Sequence, residues 1–547
     1  MLEGSRNGTN GRAGDTGDYS GHALTSGTGA LDAPNPAAVV VLAAGEGRRM
    51  HSAKPKVLHE IAGRALLGHA VHAAAALAPE YLVVVAGHGR DQVREYLAGL
   101  AGELSRSALL AIQEEQNGTG HAVDCALESL PALSGPVMVT YGDVPLLDAA
   151  TLRGLLTEHA AAGNAVTVLT AELEDPTGYG RVLRDGDAGP GGPVTAIVEH
   201  RDATPEQLLI NEINSGVYVF EADVLRDGLA TLAASAQVNA QGEQYLTDVL
   251  GFAHAAGRRV GALRCTDRWQ VCGVNDRVQL AEMRAELNRR LLQGWMRAGV
   301  TVVDPATTWV DVRVRLERDV TLLPGTQLHG TTTVAEGAQI GPDSTLTDCW
   351  IGAGAQVTRT HGSGAEIGPE ASVGPFAYLR PGARLGASGK IGTFVEVKNS
   401  DIGAGTKVPH LTYVGDASIG ERSNIGASSV FVNYDGVTKH RTIVGSYVRT
   451  GSDNTFVAPV TVGDGAYTGA GAVIRQDVPP GALAVSAGDQ RNLDGWVTRR
   501  RPGTPAALAA ERAAAEEPEE TPDATPRRAA SDTVGTHTAP SGGRQVG

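Results

Sequence analysis

From about Thr321 onward an aliphatic residue followed by glycine recurs along the chain. The pairs are Ile340-Gly341, Ile351-Gly352, Ile367-Gly368, Val373-Gly374, Ile391-Gly392, Ile402-Gly403, Ile419-Gly420, Ile425-Gly426, Val444-Gly445 and Val462-Gly463. Ile367 to Val373 and Ile419 to Ile425 are six residues apart, while Val373 to Ile391 and Val444 to Val462 are eighteen. Multiples of six predict hexapeptide repeats, with eighteen residues making one triangular coil of a parallel β-helix. The aliphatic residue points into the prism and the small residue turns the corner. This accounts for 71 glycines beside only 4% aromatic residues. The spacing breaks between Ile340 and Ile367 and between Ile391 and Ile419, where loops are expected to leave the coil and carry function.

Upstream the pattern is different. Leu82–Ala86, Val137–Tyr141, Ala165–Thr170 and Gly216–Phe220 read as strands, and Ala65–Leu77 as a helix between two of them. Such alternation predicts an α/β domain with a mostly parallel sheet. Between Asp276 and Val300, Leu280, Met283, Leu287 and Leu291 step by three and four, which puts one apolar stripe on one helix. That helix is either a core helix of the first domain or a connecting arm. The chain of 547 residues thus divides into a disordered leader (1–36), an α/β domain (37–276), a linker helix (277–300), a β-helix domain (301–502) and a disordered tail (503–547), with a short helix possible over Pro505 to Glu516. Net charge of −15 argues against a nucleic-acid partner. Cys125, Cys265, Cys272 and Cys349 form no CxxC pair, which fits neither a disulfide framework nor zinc but suits a reducing compartment. No stretch approaches the ~18 apolar residues of a membrane span, so a cytoplasmic enzyme without membrane insertion is expected.

The apolar run Val39–Leu42 feeds LAAGEGRRM (Leu42–Met50) and then KPKVLH (Lys54–His59). A buried strand entering a glycine turn with basic residues behind it suits a phosphate-bearing ligand, although the spacing is neither a P-loop nor a dinucleotide fingerprint. Further on come QEEQNGTGHA (Gln113–Ala122), YGD (Tyr141–Asp143), GYGR (Gly178–Arg181), IVEHRDA (Ile197–Ala203), EINSG (Glu212–Gly216) and GVND (Gly273–Asp276). Taken in order, these strings resemble the bifunctional UDP-N-acetylglucosamine pyrophosphorylase and glucosamine-1-phosphate N-acetyltransferase family, over about Val39 to Trp496. The resemblance implies a Rossmann-like nucleotidyltransferase domain joined by a helical arm to a left-handed parallel β-helix. It also implies acetylation of glucosamine 1-phosphate by acetyl-CoA as co-substrate, then transfer of UMP from UTP to the product.

Uridylyl transfer puts negative charge on phosphate oxygens in line with the leaving pyrophosphate, so the protein supplies positioning and counter-charge. Arg49 and Lys56 are the candidates. Asp143, just after a strand, offers a hard oxygen to Mg²⁺, and the resemblance makes Asn275 the second metal ligand. It also implies nucleotide contacts from Leu42, Ala43, Ala44, Gly45, Tyr141 and Gly142. Gln113, Gly118 and Thr119 would read the uracil end, and Gly180, Glu199 and Asn214 would hold N-acetylglucosamine.

In the repeat region a protonated glucosamine amine needs a base before it can attack a thioester, and His410 is the candidate. Arg380 and Lys398 suit the sugar phosphate, and groups near Asn433, Tyr434 and Ser452 suit the oxyanion. By resemblance Tyr413 and Asn424 also contact the sugar, while Ala427, Asn433, Tyr434, Ser452 and Ala470 line the acetyl-CoA site. Two departures stand out: Ser428-Ser429 where many relatives have glycine-threonine, and Ala487 where some have an arginine that contacts the coenzyme. Trp496 of a neighbouring subunit is the compensation this suggests. The resemblance further implies a homotrimer. The rival reading is a pyrophosphorylase for another sugar, with a structural or regulatory β-helix.

Overall fold

The computed structural model describes residues 35–515 except Ser105, 186–191, 235–241, Ala487, Asp489 and Arg491. Nearly all of the expected leader, the tail beyond residue 515 and the departure at Ala487 therefore lie outside the described residues.

Seven strands form the body of the N-terminal sheet: β1 (Ala38–Leu42), β2 (Tyr81–Ala86), β3 (Leu109–Ile112), β4 (Pro136–Tyr141), β5 (Val166–Glu172), β6 (Glu212–Glu221) and β7 (Val260–Arg264). Their order is β7-β5-β6-β4-β1-β2-β3. All neighbours are parallel except β6, which runs antiparallel to β4 and β5. Helices cover both faces, so Val39, Val40 and Val41 are all fully buried, as the unbroken apolar run requires. A hairpin of Arg181–Arg184 and Val194–Val198 extends the sheet where Arg181 pairs with Ile213. The register places Leu42 beside Tyr141 on one side and Val85 on the other, so the chain leaves all three strands at one edge.

The helix Arg277–Arg297 begins under an Asp276 cap, whose carboxylate accepts from the N–H groups of Val278 and Gln279, both at 2.9 Å. Leu280 and Met283 are buried with Met50, Ile61, Leu66, Leu146 and Val274, whereas Leu292 and Trp295 are buried in the β-helix core. One helix therefore closes two cores. The predicted stripe drifts: Leu291 is only half-buried and its neighbour Leu292 takes the inward place, because 3.6 residues per turn rotates a long stripe around the axis.

From Thr301 the chain coils through three parallel sheets of seven, ten and nine short strands, a left-handed parallel β-helix. Ile351, Ile367, Leu385, Ile402, Ile419, Val444 and Val462 form one inward column. Burying each such side chain contributes about 1.5–3 kcal/mol. The spacing breaks are not loops. Ile340 pairs with Val357 and Val357 with Val373, and Ile391 pairs with Val408, so the coil runs on with corners one or two residues shorter. The excursion comes later: Ile419 pairs with Val444, twenty-five residues on, because residues 433–441 leave the coil between the strands Val430–Val432 and Thr442–Val444. Strands end at Leu483–Ala484. Trp496–Arg500 and Pro505–Ala515 form helices of a separate C-terminal unit, the second where a short helix was expected. Among the described residues no helix is long and apolar enough to cross a membrane.

Asn288, buried in the linking helix, donates to the Thr308 carbonyl at 2.8 Å and accepts from the Val310 N–H at 3.1 Å, stapling the helix to the first coil. Asn288→Ala should destabilise the chain by about 1–3 kcal/mol per buried group left unpaired, seen as a lower urea midpoint by tryptophan fluorescence. An unchanged midpoint would mean the staple is not needed.

Candidate active sites

The carboxyl edge of the N-terminal sheet gathers the first set of residues. Gly142 N donates to Leu42 O at 2.9 Å, Ala43 N to Val85 O at 2.8 Å and Gln113 N to Ala86 O at 2.9 Å, so the segments after β1, β2, β3 and β4 lie side by side. Over this edge Lys56 Nζ pairs with Asp143 and lies 3.4 Å from Asn275 Oδ1. Val274 N donates to Asp143 O at 2.9 Å, which fixes the Asn275 turn against the Asp143 turn. Two hard oxygens thus converge on one cationic point. Arg49, in the short helix after the glycine turn, is exposed and has no ion-pair partner among the described residues, whereas Arg48 is held by Glu46 at 2.6 Å.

The glycine of the GTG string is required by close approach. Gly118 has φ +106°, and a Cβ there would lie 2.5 Å from Gln244 O. Gln244 N donates to Asn117 O at 2.7 Å, Gly120 N to Gln244 O at 2.8 Å, and Leu246 N to the Thr119 hydroxyl at 3.0 Å. Gln113 Nε2 donates to Gly118 O at 3.0 Å. The loop is held rigidly from both sides. Gln116, within the same string but not singled out from sequence, donates to Ala44 O at 2.8 Å and ties it to the glycine turn.

Gly180, Glu199 and Asn214 also converge. A Cβ on Gly180 would lie 3.4 Å from both Glu199 Oε1 and Asn214 Cβ, and Asn214 N donates to Gly180 O at 2.9 Å. Asn214 Oδ1 accepts from Gly216 N and the Tyr218 hydroxyl, both at 2.9 Å, so its amide N–H groups stay available. Burial raises the Glu199 carboxyl above its usual range, with Asp202 and Asp248 adding to it. Burial likewise raises Tyr141 well above the usual phenol value.

On the β-helix, one corner carries a ladder of backbone bonds: Ser428 N to His410 O (3.2 Å), Asp453 N to Ala427 O (2.6 Å) and Gly471 N to Ser452 O (2.9 Å). His410, Ala427, Ser452 and Ala470 therefore sit one coil apart on one edge. The His410 ring is exposed, and none of the described residues bonds to it. On the same corner, Leu411 next to His410 and Phe394 and Phe376 on the coils below are 58%, 58% and 52% exposed, with the two phenyl rings stacked at 5.3 Å.

Across the adjoining sheet lies a second cluster. Asp416 is 7% exposed. It accepts from Lys398 Nζ at 3.0 and 3.2 Å, from Asn399 Nδ2 at 2.7 Å and from Asn433 Nδ2. Asn433 Nδ2 also lies 3.4 Å from the Tyr413 hydroxyl. Arg380 reaches Glu396 at 3.1 Å on the strand between its own and Tyr413. Tyr434 is in the excursion, where its hydroxyl donates to Gly436 O at 2.6 Å. Asn424 is not in this cluster: it bridges Lys407 and Arg449 on the other side of the His410 corner. Asp416 stands in the string HLTYVGD eighteen residues after Lys398, one coil by the period of the repeat, and that spacing is the signal that could have found it; the contact with Asn433 comes from coil stacking.

Residues 39–209 match the MobA-like NTP transferase domain family. Over most of its length the chain is similar to the bifunctional protein GlmU of Kineococcus radiotolerans, 65% identical over 87% of this chain and 95% of that one. It is also similar to the bifunctional protein GlmU of Streptomyces coelicolor, 61% identical over 88% and 98%. A solved UDP-glucose pyrophosphorylase complexed with UDP-glucose aligns with 47% of this chain and 99% of its own at 18% identity and a TM-score of 0.37.

Burial pushes the Asp416 carboxyl up, but the bonds from Asn399, Lys398 and Asn433 outweigh it and hold it below its usual value. The stability it contributes is thus complete above the unfolded value of about 3.9 and is lost as pH falls through the lower folded value. Between about pH 5 and pH 3 the urea midpoint of the wild type should fall more steeply than that of Asp416→Asn. Parallel curves would refute the tether.

Proposed function

Because the chain belongs to the bifunctional GlmU family, we propose that it acetylates glucosamine 1-phosphate with acetyl-CoA and then joins the product to UMP from UTP. The yield is UDP-N-acetylglucosamine and pyrophosphate, a precursor for cell-wall synthesis. The observation that carries this reading is the presence of two separate polar constellations in one chain, one at the sheet edge around Lys56, Asp143 and Asn275, the other on the β-helix around His410, Lys398 and Asn433.

In the first reaction Arg380 and Lys398 hold the sugar phosphate, with Tyr413 and the Asn424 of a neighbouring copy on the sugar. Ala427, Asn433, Tyr434, Ser452 and Ala470 line the coenzyme. The ammonium gives up one proton to solvent, the neutral nitrogen attacks the thioester carbonyl carbon, and His410 takes the second proton as the C–N bond forms. Asn433, Tyr434 and the backbone at Ser452 face the oxyanion, the C–S bond breaks, and His410 returns the proton to the departing thiolate.

In the second reaction Gln113, Gly118 and Thr119 hold uracil, while Gly180, Glu199 and Asn214 hold the acetylated sugar. The segment Leu42–Gly45 with Tyr141 and Gly142 frames the nucleotide. A phosphate oxygen of the sugar attacks the α-phosphorus and pyrophosphate leaves, with Arg49 and Lys56 neutralising the charge. Asp143 and Asn275 would hold Mg²⁺, which supplies further counter-charge to the phosphates; two oxygens at the point that the Lys56 ammonium now occupies suit an ion that keeps several waters. A homotrimer is supported by the exposed Phe376, Phe394 and Leu411 ladder beside His410 and by Asn424 on the adjacent face, where it would serve a neighbouring site. We place the enzyme in the cytoplasm, where its four free cysteines would stay reduced.

The deciding assay supplies glucosamine 1-phosphate, UTP and Mg²⁺ with and without acetyl-CoA and reads products by mass spectrometry. UDP-N-acetylglucosamine should form only with acetyl-CoA. If N-acetylglucosamine 1-phosphate must be supplied, the rival reading of a structural β-helix wins. His410→Ala should lower acetyl transfer by about 10²–10⁴ and leave uridylyl transfer intact, and Lys56→Met should do the reverse with a loss of about 10² or more. Phe394→Asp should shift the sedimenting species from trimer to monomer and abolish acetylation alone. A trimer that survives would rule out this corner as the seam.

A further inference from the structure

We propose that Asp416 is a positioning residue that ties the phosphate-binding Lys398 to the coenzyme loop, so that the acceptor and acyl-donor sites share one carboxylate. The inference rests on the acetyl-transfer reading of the β-helix. Asp416 sits at the turn between two sheets with φ +49°. Its backbone N–H donates to Lys398 O at 3.0 Å. The excursion that carries Tyr434 is fastened to it at both ends. The Asn433 side chain donates to its carboxylate where the loop leaves, and Thr442 N donates to its carbonyl at 3.2 Å where the loop returns. Between those points Asp435 organises the turn, accepting from Val437 N at 2.8 Å, Thr438 N at 2.6 Å and His440 at 2.8 Å. The loop is thus an internally stiff unit fastened to Asp416 at both ends, with Arg441 adding a second anchor on Asp401 and Ser418 at its returning end.

The same carboxylate takes both of its oxygens to the Lys398 ammonium. An arriving phosphate must share that ammonium, which weakens acceptor binding, while the shared contact keeps the loop in place for the donor. Removing the charge therefore acts on the two substrates with opposite sign. A carboxylate that merely stabilised the coil would not do this.

The test is Asp416→Asn, which keeps the size and tolerates the left-handed backbone but loses the charge and turns one acceptor into a donor facing Asn399 or Asn433. The KM for glucosamine 1-phosphate at saturating acetyl-CoA should fall about threefold, and the KM for acetyl-CoA should rise about tenfold, the scale of one lost charged hydrogen bond. Asn433→Ala, which removes the loop tether together with the coenzyme and oxyanion contacts proposed for Asn433, should raise the acetyl-CoA KM and lower kcat while leaving the acceptor KM unchanged. A sedimentation profile and a far-ultraviolet circular dichroism spectrum like those of the wild type verify that the β-helix of each variant is folded. Both KM values rising together, or neither moving, in Asp416→Asn overturns the proposal. If that variant does not fold, an Asn433→Ala protein that loses acceptor and donor affinity equally overturns it instead. A wild-type chain that makes no acetylated product overturns the acetyl-transfer reading, and the proposal with it.

Discussion

The spacing of the coils is the constraint on which the C-terminal half depends. At one corner of the prism the backbone of each turn lies against the next, so closely that a Cβ on Gly386 would lie 2.6 Å from Ala404 N and one on Gly403 2.6 Å from Glu421 N. With that corner closed and an aliphatic column filling the interior, every coil repeats at the strand spacing. Residues about one coil apart in sequence become neighbours in space. His410, Ala427, Ser452 and Ala470 are aligned by this repetition and by nothing local to any of them.

Both candidate sites solve the same electrostatic problem in the same way. Each holds a lysine ammonium against a carboxylate, Lys56 with Asp143 and Lys398 with Asp416, with a carboxamide alongside. In a chain of net charge −15, such local pairing keeps each ammonium oriented for the phosphate we propose it meets. On that proposal, binding would redistribute charge within a framework already built, which limits the reorganisation required during reaction. The linking helix gives both frameworks a common member, since Leu280 and Trp295 belong to different cores on one rigid element.

Much of the fold was legible in the residues because it arises from period. The inward aliphatic positions, the apolar strands and the helix after Asp276 each follow from local chemistry. The placement of the excursion was not legible. Val357 and Val408 continue the inward columns without a following glycine, so a missing Ile-Gly pair looked like a loop when it was only a shorter corner. The drift of the stripe from Leu291 to Leu292 has a similar origin, since a count of threes and fours cannot say which side a second core approaches from.

The sequence by itself determined the two architectures, the glycine turn after a buried strand, and the residue types able to offset phosphate charge and to accept a proton. These depend on short-range sterics and on the alternation of apolar and polar positions, which are written in order along the chain. Only the tertiary structure decided that Lys56, Asp143 and Asn275 share one point, that Gln244 props the Gly118 loop, and that Asp416 joins Lys398 to Asn433. Such pairings join distant segments through sheet register and coil rise, and a change of one residue in either would separate them without altering any local pattern.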